Sequence, residues 1–442
     1  MSRWMLCVVA SWLLLASPTA ARADDDEEKA VAVLVKLGGG FLRDGSQPGN
    51  HVTRVIFAGQ KLSGTDLRAM APLQHLTVLT LVGTSVSDED LKELAAFPNL
   101  AELDLNGTKI TGEGMAALSG LHKLTKLRLL GTKMTDTGLR HVAQLPNLTE
   151  LTLNSEDATD LGIKELAALK KLTSLTLLVP KMTDVGVGEL GALKNLTEFK
   201  LSAEEITDVG CRTLAKLPKL THLSLSAAGV TDAGIKELTA LSNLTELELI
   251  RVRVTDTGIK ELAALTKLTT LRLCTTTITD ASLRALAALK NLTWLSLYQS
   301  DLIKANLKEL APLKNLTTLD LSFVKLSEGG LRSLPAFPKL TSLYLVDAPV
   351  TDDDAKEVAK LLTLTYLDLS STQVTDAGVK HLSALSKLTN LTLNRTQLTD
   401  AGLKHLATLK NLSWLSAQGT KVTDAGVQEL KKTLPPNFGV FK

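Results

Sequence analysis

Fifteen leucines recur every 24 residues, from Leu76, Leu100 and Leu124 to Leu412, without a gap. A fixed period of this length marks a solenoid, in which one supersecondary unit repeats and each copy buries its apolar face against its neighbours. Counting each unit from its leading leucine, residues 1, 4 and 6 are apolar, as in Leu76, Leu79 and Leu81 or Leu220, Leu223 and Leu225. Residues 4 and 6 alternate with polar ones, the period-2 pattern of a half-buried strand. Residue 2 is nearly always Thr, as at Thr77, Thr149 and Thr317, and its β-branching suits a strand. The second half of the unit switches to helical spacing, as in Leu139, Val142 and Leu145 or Ile259, Leu262 and Leu265. Thr-Asp-x-Gly precedes it, as in Thr231-Asp232-Ala233-Gly234, with Thr as the N-cap and Asp at the positive end of the helix. The pattern predicts a short strand, a turn and a helix of about two to three turns in each unit. Stacked, the units give a parallel sheet on one side and helices on the other.

The combined motif, Leu-x-x-Leu-x-Leu-x-x-Thr followed by (Val/Ile)-Thr-Asp-x-Gly-Leu-x-x-Leu, resembles the leucine-rich repeat family. Its Thr-Asp-x-Gly-Leu helix start is similar to that of bacterial repeats and of ribonuclease-inhibitor-like, cysteine-containing arrays. The resemblance covers fifteen clear units and a degenerate one at Val52, Val55 and Phe57. It implies an α/β horseshoe with a parallel sheet on the concave face, short helices on the convex face, and partners bound on the concave sheet. The ninth residue, Asn or Cys in the family, is Thr at Thr84, Thr108 and Thr372 but Pro180, Ala228 or Val252 elsewhere. A Thr hydroxyl can bond turn backbone and Val or Ala cannot, so looser turns or altered curvature are expected in the middle units.

The expected organisation is a signal peptide over 1–23, a flexible acidic start and capping helix over 24–51, the solenoid over 52–432 and a C-terminal cap over 433–442. Arg3, the apolar run Trp4 to Ala16 and Ala21-Arg22-Ala23 carry the export reading, which places the protein in a periplasm or outside the cell. No later run is apolar and long enough to span a membrane. Loss of residues 1–23 removes Arg3 and Arg22 and no acid, leaving 47 basic against 47 acidic residues. No basic run exists, so nucleic acid is not expected as a partner. Cys211 and Cys274 fall three units apart, too far for a disulfide.

Residues 3, 5 and 7 of each unit point away from the leucine core. Beyond the leader the chain holds two Trp and three Tyr, and all five fall in these columns within the last six units. Trp294, Tyr366 and Trp414 take the third position, Tyr344 the fifth and Tyr298 the seventh, with Phe323 nearby at the eighth. Aromatic side chains facing solvent are the enriched anchors of protein interfaces. Asp320, Asp368, Asn390, Asn394 and Gln418 lie among them as hydrogen-bonding groups, and the consensus breaks at Ile303-Lys304-Ala305-Asn306, Ser327-Glu328 and Asp352-Asp353-Asp354. The expected ligand site is therefore Trp294, Tyr298, Asp320, Tyr344, Tyr366, Asp368, Asn390, Asn394 and Trp414, for a protein partner. A glycan stacked on the same rings is the rival ligand. A structural envelope role, with the rings as cross-strand decoration, is the plainest alternative.

Enzymatic chemistry is not expected. Asp320 and Asp368 sit two strands apart, roughly 10 Å by strand spacing, but no closed cleft flanks them to exclude water. His381 and His405 share an outer helical position, and two histidines without a carboxylate or Cys make a poor metal site, so neither metal nor cofactor is expected. His222 faces the concave side and reads as isolated. The Asn-Leu-Thr strings arise automatically from the repeat.

Overall fold

The structure, a computed structural model, describes residues 25–46, 49–302, 306–326, 330–334 and 337–442. The expected leader and the consensus breaks at Ile303-Lys304-Ala305 and Ser327-Glu328 lie outside the described residues. The described chain divides into two compact units, one ending at Lys133 and one running from Met134 to Lys442. No linker or composition shift in the sequence marks that division.

In the first unit, helix α1 (Asp25–Lys36) leads to strands β1 (Gly40–Arg43), β2 (Val52–Ala58), β3 (Val78–Val82), β4 (Glu102–Asp104) and β5 (Lys126–Leu129). β1 is antiparallel to β2, and β2 to β5 run parallel with Val55, Leu79, Leu103 and Leu127 side by side. The second unit holds parallel strands from Glu150–Asn154 to Trp414–Ser416 in the same register, with Leu151, Leu175, Phe199 and Leu223 aligned, and Gly439–Phe441 closes it one residue out of that register. The 24-residue period is thus the strand register itself. Leu220, Leu223 and Leu225 are 1%, 2% and 0% exposed, and a fully buried leucine is worth about 1.5–3 kcal/mol relative to an exposed one.

Three side-chain ladders tie unit to unit. The residue-2 threonines donate to the carbonyl one unit back: Thr245 to Thr221, Thr269 to Thr245 and Thr293 to Thr269, each at 3.1 Å. Their role goes beyond β-branching. The helix-start aspartates reach forward. Asp208 accepts from Thr231 N at 2.8 Å, Thr231 Oγ1 at 2.7 Å and Gly234 N at 2.8 Å. A Cβ at Gly234 would overlap Asp208 Oδ1, so the recurring spacing of Asp and Gly along the repeats reflects a carboxylate arriving from the previous unit. The third ladder runs along residue 24, where Lys219 and Lys267 donate to Asn195 and Asn243 at 2.8 Å.

Where Thr-Asp-x-Gly is intact, an α-helix of six to eight residues follows, as at Asp208–Leu214, Asp256–Glu261 and Asp424–Lys431, capped by the Thr hydroxyl. Where Ser87-Asp88-Glu89-Asp90 or Thr111-Gly112-Glu113-Gly114 replaces it, the segment tightens to a 3-10 helix, Leu91–Ala96 or Glu113–Leu118. The ninth-residue threonines do bond the turn, Thr84 to Leu81 O at 2.8 Å and Thr372 to Leu369 O at 2.7 Å. The middle units turn differently, but by burial rather than loosening. Ser155, Val179, Ala203 and Ala227 are 0–2% exposed at residue 8, where other units turn through a left-handed residue such as Gly83 or Arg251.

The ends correct one expectation. Asp25 to Glu28, expected as a flexible acidic start, form the first turn of α1. Glu27 is 2% exposed; it accepts from Val52 N at 2.6 Å and meets His51 Nδ1 at 2.7 Å, pinning the helix to the first strands. Gly38, at φ +77°, releases the chain from the helix. At the other end Gly439–Phe441 adds a closing strand beside Trp414–Ser416. Cys211 and Cys274 are free, and burial pushes their thiols up to about 12 and about 11. Among the described residues no helix is long and apolar enough to cross a membrane.

Candidate binding surface on the strand face

Strand pairing sets the aromatic columns. Trp294, Thr318, Ser342, Tyr366, Asn390 and Trp414 form one row; Ser296, Asp320, Tyr344, Asp368, Thr392 and Ser416 form the next. The rings of Tyr344 and Tyr366 pack at 4.8 Å. Trp294 is 36% exposed and lies under the Arg272 guanidinium, 4.4 Å from its centre. A cation held over a Trp face is attracted by about 0.5–1 kcal/mol at an exposed site.

One expected member, Tyr298, sits elsewhere. The strand in that unit is only Trp294–Ser296, so Tyr298 lies in the turn beyond it, not on the sheet. There it packs on Phe323 at 5.2 Å. Phe323 is 40% exposed and takes, at φ 57°, the left-handed turn conformation that the eighth residue also has at Arg251, Thr275 and Arg395. Trp414 is 43% exposed but borders the closing strand, where a Cβ at Gly439 would lie 2.9 Å from its ring. Trp414 therefore also shields the cap.

The polar members are largely engaged within the chain. Asp320 accepts from Ser296 Oγ and Ser322 N, both at 2.9 Å. Asp368 accepts from Ser370 N at 2.9 Å and Ser370 Oγ at 2.6 Å. Burial holds the Asp368 carboxyl above its ordinary value, and the charge of Asp320 adds to that rise. Burial, then the Asp368 charge, pushes the Tyr366 phenol up to about 12. Burial, then Asp320 and Asp368, raises Tyr344, which stands between those two acids in register. Asn394 Oδ1 accepts from Ser416 Oγ at 2.8 Å and Gln418 N at 2.7 Å, which builds it into the turns. Asn390 Oδ1 accepts from Thr389 Oγ1 at 2.8 Å.

A charged groove of about 260 Å³ adjoins the rings, lined in part by Glu198, Lys200, His222, Glu246, Glu248 and Arg272. His222 is not isolated: Nε2 lies 3.2 Å from Glu246, and Nδ1 2.7 Å from Thr221 Oγ1. Lys200 pairs with Glu198 at 2.9 Å and Arg272 with Glu248 at 3.6 Å. Arg272 joins the groove to Trp294, so charged and aromatic parts make one surface. Stacking the third and fifth residues of successive units would have revealed this groove, because its members are separated by 24 residues or by two. Among the described residues no group of three or more His, Cys, Asp or Glu could hold a metal ion.

A family model described as "Zer-1-like, Leucine-rich repeats" matches residues 307–435, and one described as "Leucine Rich repeat" matches residues 98–119 and 216–238. No curated protein matches the sequence. A leucine-rich-repeat protein of Leptospira interrogans matches in structure with a TM-score of 0.50 and 24% identity, over 82% of this chain and 96% of that one. An internalin of Listeria monocytogenes matches with a TM-score of 0.40 and 21% identity, over 95% of each chain. At these identities the likeness concerns the fold alone. The family models thus identify leucine-rich repeats within residues 98–119, 216–238 and 307–435, and the unbroken period, the buried leucine columns and the aligned parallel strands give the described chain a leucine-rich-repeat fold.

Proposed function

We propose that the protein is an exported, non-catalytic scaffold that docks a protein partner on the strand face of its second unit. The observation that carries this is the continuous surface from the charged groove through Arg272 and Trp294 to the Tyr344–Tyr366 pair. Rigid aromatic anchors with a charged margin are the composition of interface hot spots, where truncating one ring costs about 2 kcal/mol or more. The family's general use as a protein-binding scaffold points the same way. Export rests on the Trp4 to Ala16 run and the Ala21-Arg22-Ala23 site, and N-terminal sequencing of protein recovered outside the cytoplasm should begin at Asp24.

The test captures partners with the natural chain and with a Trp294→Ala, Tyr344→Ala, Tyr366→Ala variant of equal thermal stability. A protein retained by the first and lost by the second supports the reading. Equal capture by both removes the aromatic surface from consideration. Binding of isolated glycans, lost in the same variant, replaces the protein partner by a carbohydrate.

A further inference from the structure

The edge where the chain leaves each helix and enters the next strand has a one-sided charge. In the eleven units that begin at Leu148 to Leu388, residues 21 to 24 hold twelve lysines, from Lys170 and Lys171 to Lys387 and Lys410. The same 44 positions hold no Asp, Glu or Arg, although the chain's average of 47 acids in 442 residues would place about five there. All twelve lysines are exposed.

Helix dipoles do not account for the row. Their attraction for cations fades within the last turn. The helices end at residue 19, as at Leu166 and Leu190, so lysines at residues 23 and 24 lie four or five residues farther on. Nor is the charge cancelled where its partners are neutral amides. Lys171 donates to Asn147 at 2.6 Å, and Lys219, Lys267 and Lys339 donate to Asn195, Asn243 and Asn315 at 2.8 Å. Such amides hold an ammonium in place and leave its charge whole. Lys360 does pair with Glu357 within its own helical turn.

The residue types narrow the partner. Lysine is a compact point charge without the planar fork that reads a phosphate or base edge bidentately. The row has no exposed aromatic residue on which bases could stack, as single-stranded nucleic acid requires. It does carry Leu362, 58% exposed at residue 23 and flanked in sequence by Lys360. At about 4.8 Å per strand the row extends on the order of 50 Å. A long line of point charges with an exposed leucine fits a broad surface of diffuse negative charge.

We propose that this lysine edge rests on an anionic lipid bilayer. The residues involved are not those of the strand-face columns, so the inference stands apart from the proposed partner site. Each cation near an anionic bilayer raises affinity about fivefold, an effect screened by salt.

The test is sedimentation of the full chain with phosphatidylcholine vesicles, with and without phosphatidylglycerol, at low and high salt. Binding is expected only with phosphatidylglycerol, and to fall with salt. A variant with Lys170→Gln, Lys216→Gln, Lys314→Gln and Lys387→Gln should bind several hundredfold more weakly, at roughly fivefold per charge. A control with Lys164→Gln, Lys236→Gln, Lys380→Gln and Lys404→Gln loses the same charge from the helical face and should bind like the natural chain. Indifference to phosphatidylglycerol, equal weakening in both variants, or binding to soluble polyphosphate without vesicle binding would each overturn the proposal. Loss of vesicle binding with partner capture intact would confirm that the two surfaces act separately.

Discussion

Replacing Gly234 with alanine sets two effects of opposite sign against each other. Gly234 lies inside the helix Asp232–Leu238, where Gly→Ala normally stabilises by up to about 1 kcal/mol. Here the new methyl group would fall on Asp208 Oδ1 and lie 3.1 Å from Cys211 Sγ and from Val230 Cγ1. Asp208 Oδ1 accepts two of the bonds that join adjacent units, from Thr231 N and Gly234 N at 2.8 Å. Hydrogen bonds to a charged group contribute about 1.5–3 kcal/mol each, so displacing that oxygen puts about 3–6 kcal/mol at risk. Asp208 is only half-buried and water replaces part of the loss. Net of the propensity gain, Gly234→Ala should destabilise by about 2 kcal/mol. Urea unfolding followed by circular dichroism measures this. The same substitution in an Asp208→Ala background meets no carboxylate and should be neutral or stabilising, a coupling of about 2–3 kcal/mol. If Gly234→Ala proves no less stable than the natural chain, or costs the same in both backgrounds, the inter-unit carboxylate ladder is not what requires the glycine.

Glu27→Ala strips the buried Val52 amide and His51 of their acceptor. It should destabilise the first unit by about 2–4 kcal/mol and speed hydrogen exchange at Val52; an unchanged exchange rate would show that the cap is held by other contacts. The Asp368 carboxyl, raised by burial, should titrate by carbon NMR with a midpoint above 3.8 and move down in Asp320→Asn. Because the folded value lies above the unfolded one, its contribution to stability is complete below pH 3.8 and is lost as pH rises through the folded value. Asp368→Asn should therefore be more stable than the natural chain at neutral pH, with no difference below pH 3.8; a midpoint at or below 3.8 refutes this account.

The sequence by itself determined the architecture, because that architecture is written many times over. Fifteen leucines at one spacing leave a single way to bury them, and the strand register follows as the period itself. The same arithmetic put Trp294, Tyr366 and Trp414 in one row and Tyr344 between Asp320 and Asp368. Tertiary structure alone decided which polar atoms meet. Asp208 serves the unit after its own, Asn394 turns its oxygen into neighbouring turns, and His222 finds Glu246 in the next strand. It decided too that Tyr298 leaves the sheet for Phe323, that Trp414 leans on the cap, and that Arg272 covers Trp294. Apolar burial is non-directional, so periodicity suffices to encode it. Hydrogen bonds and ring contacts depend on placing side chains of adjacent units to within a few tenths of an ångström, which no spacing along the chain specifies.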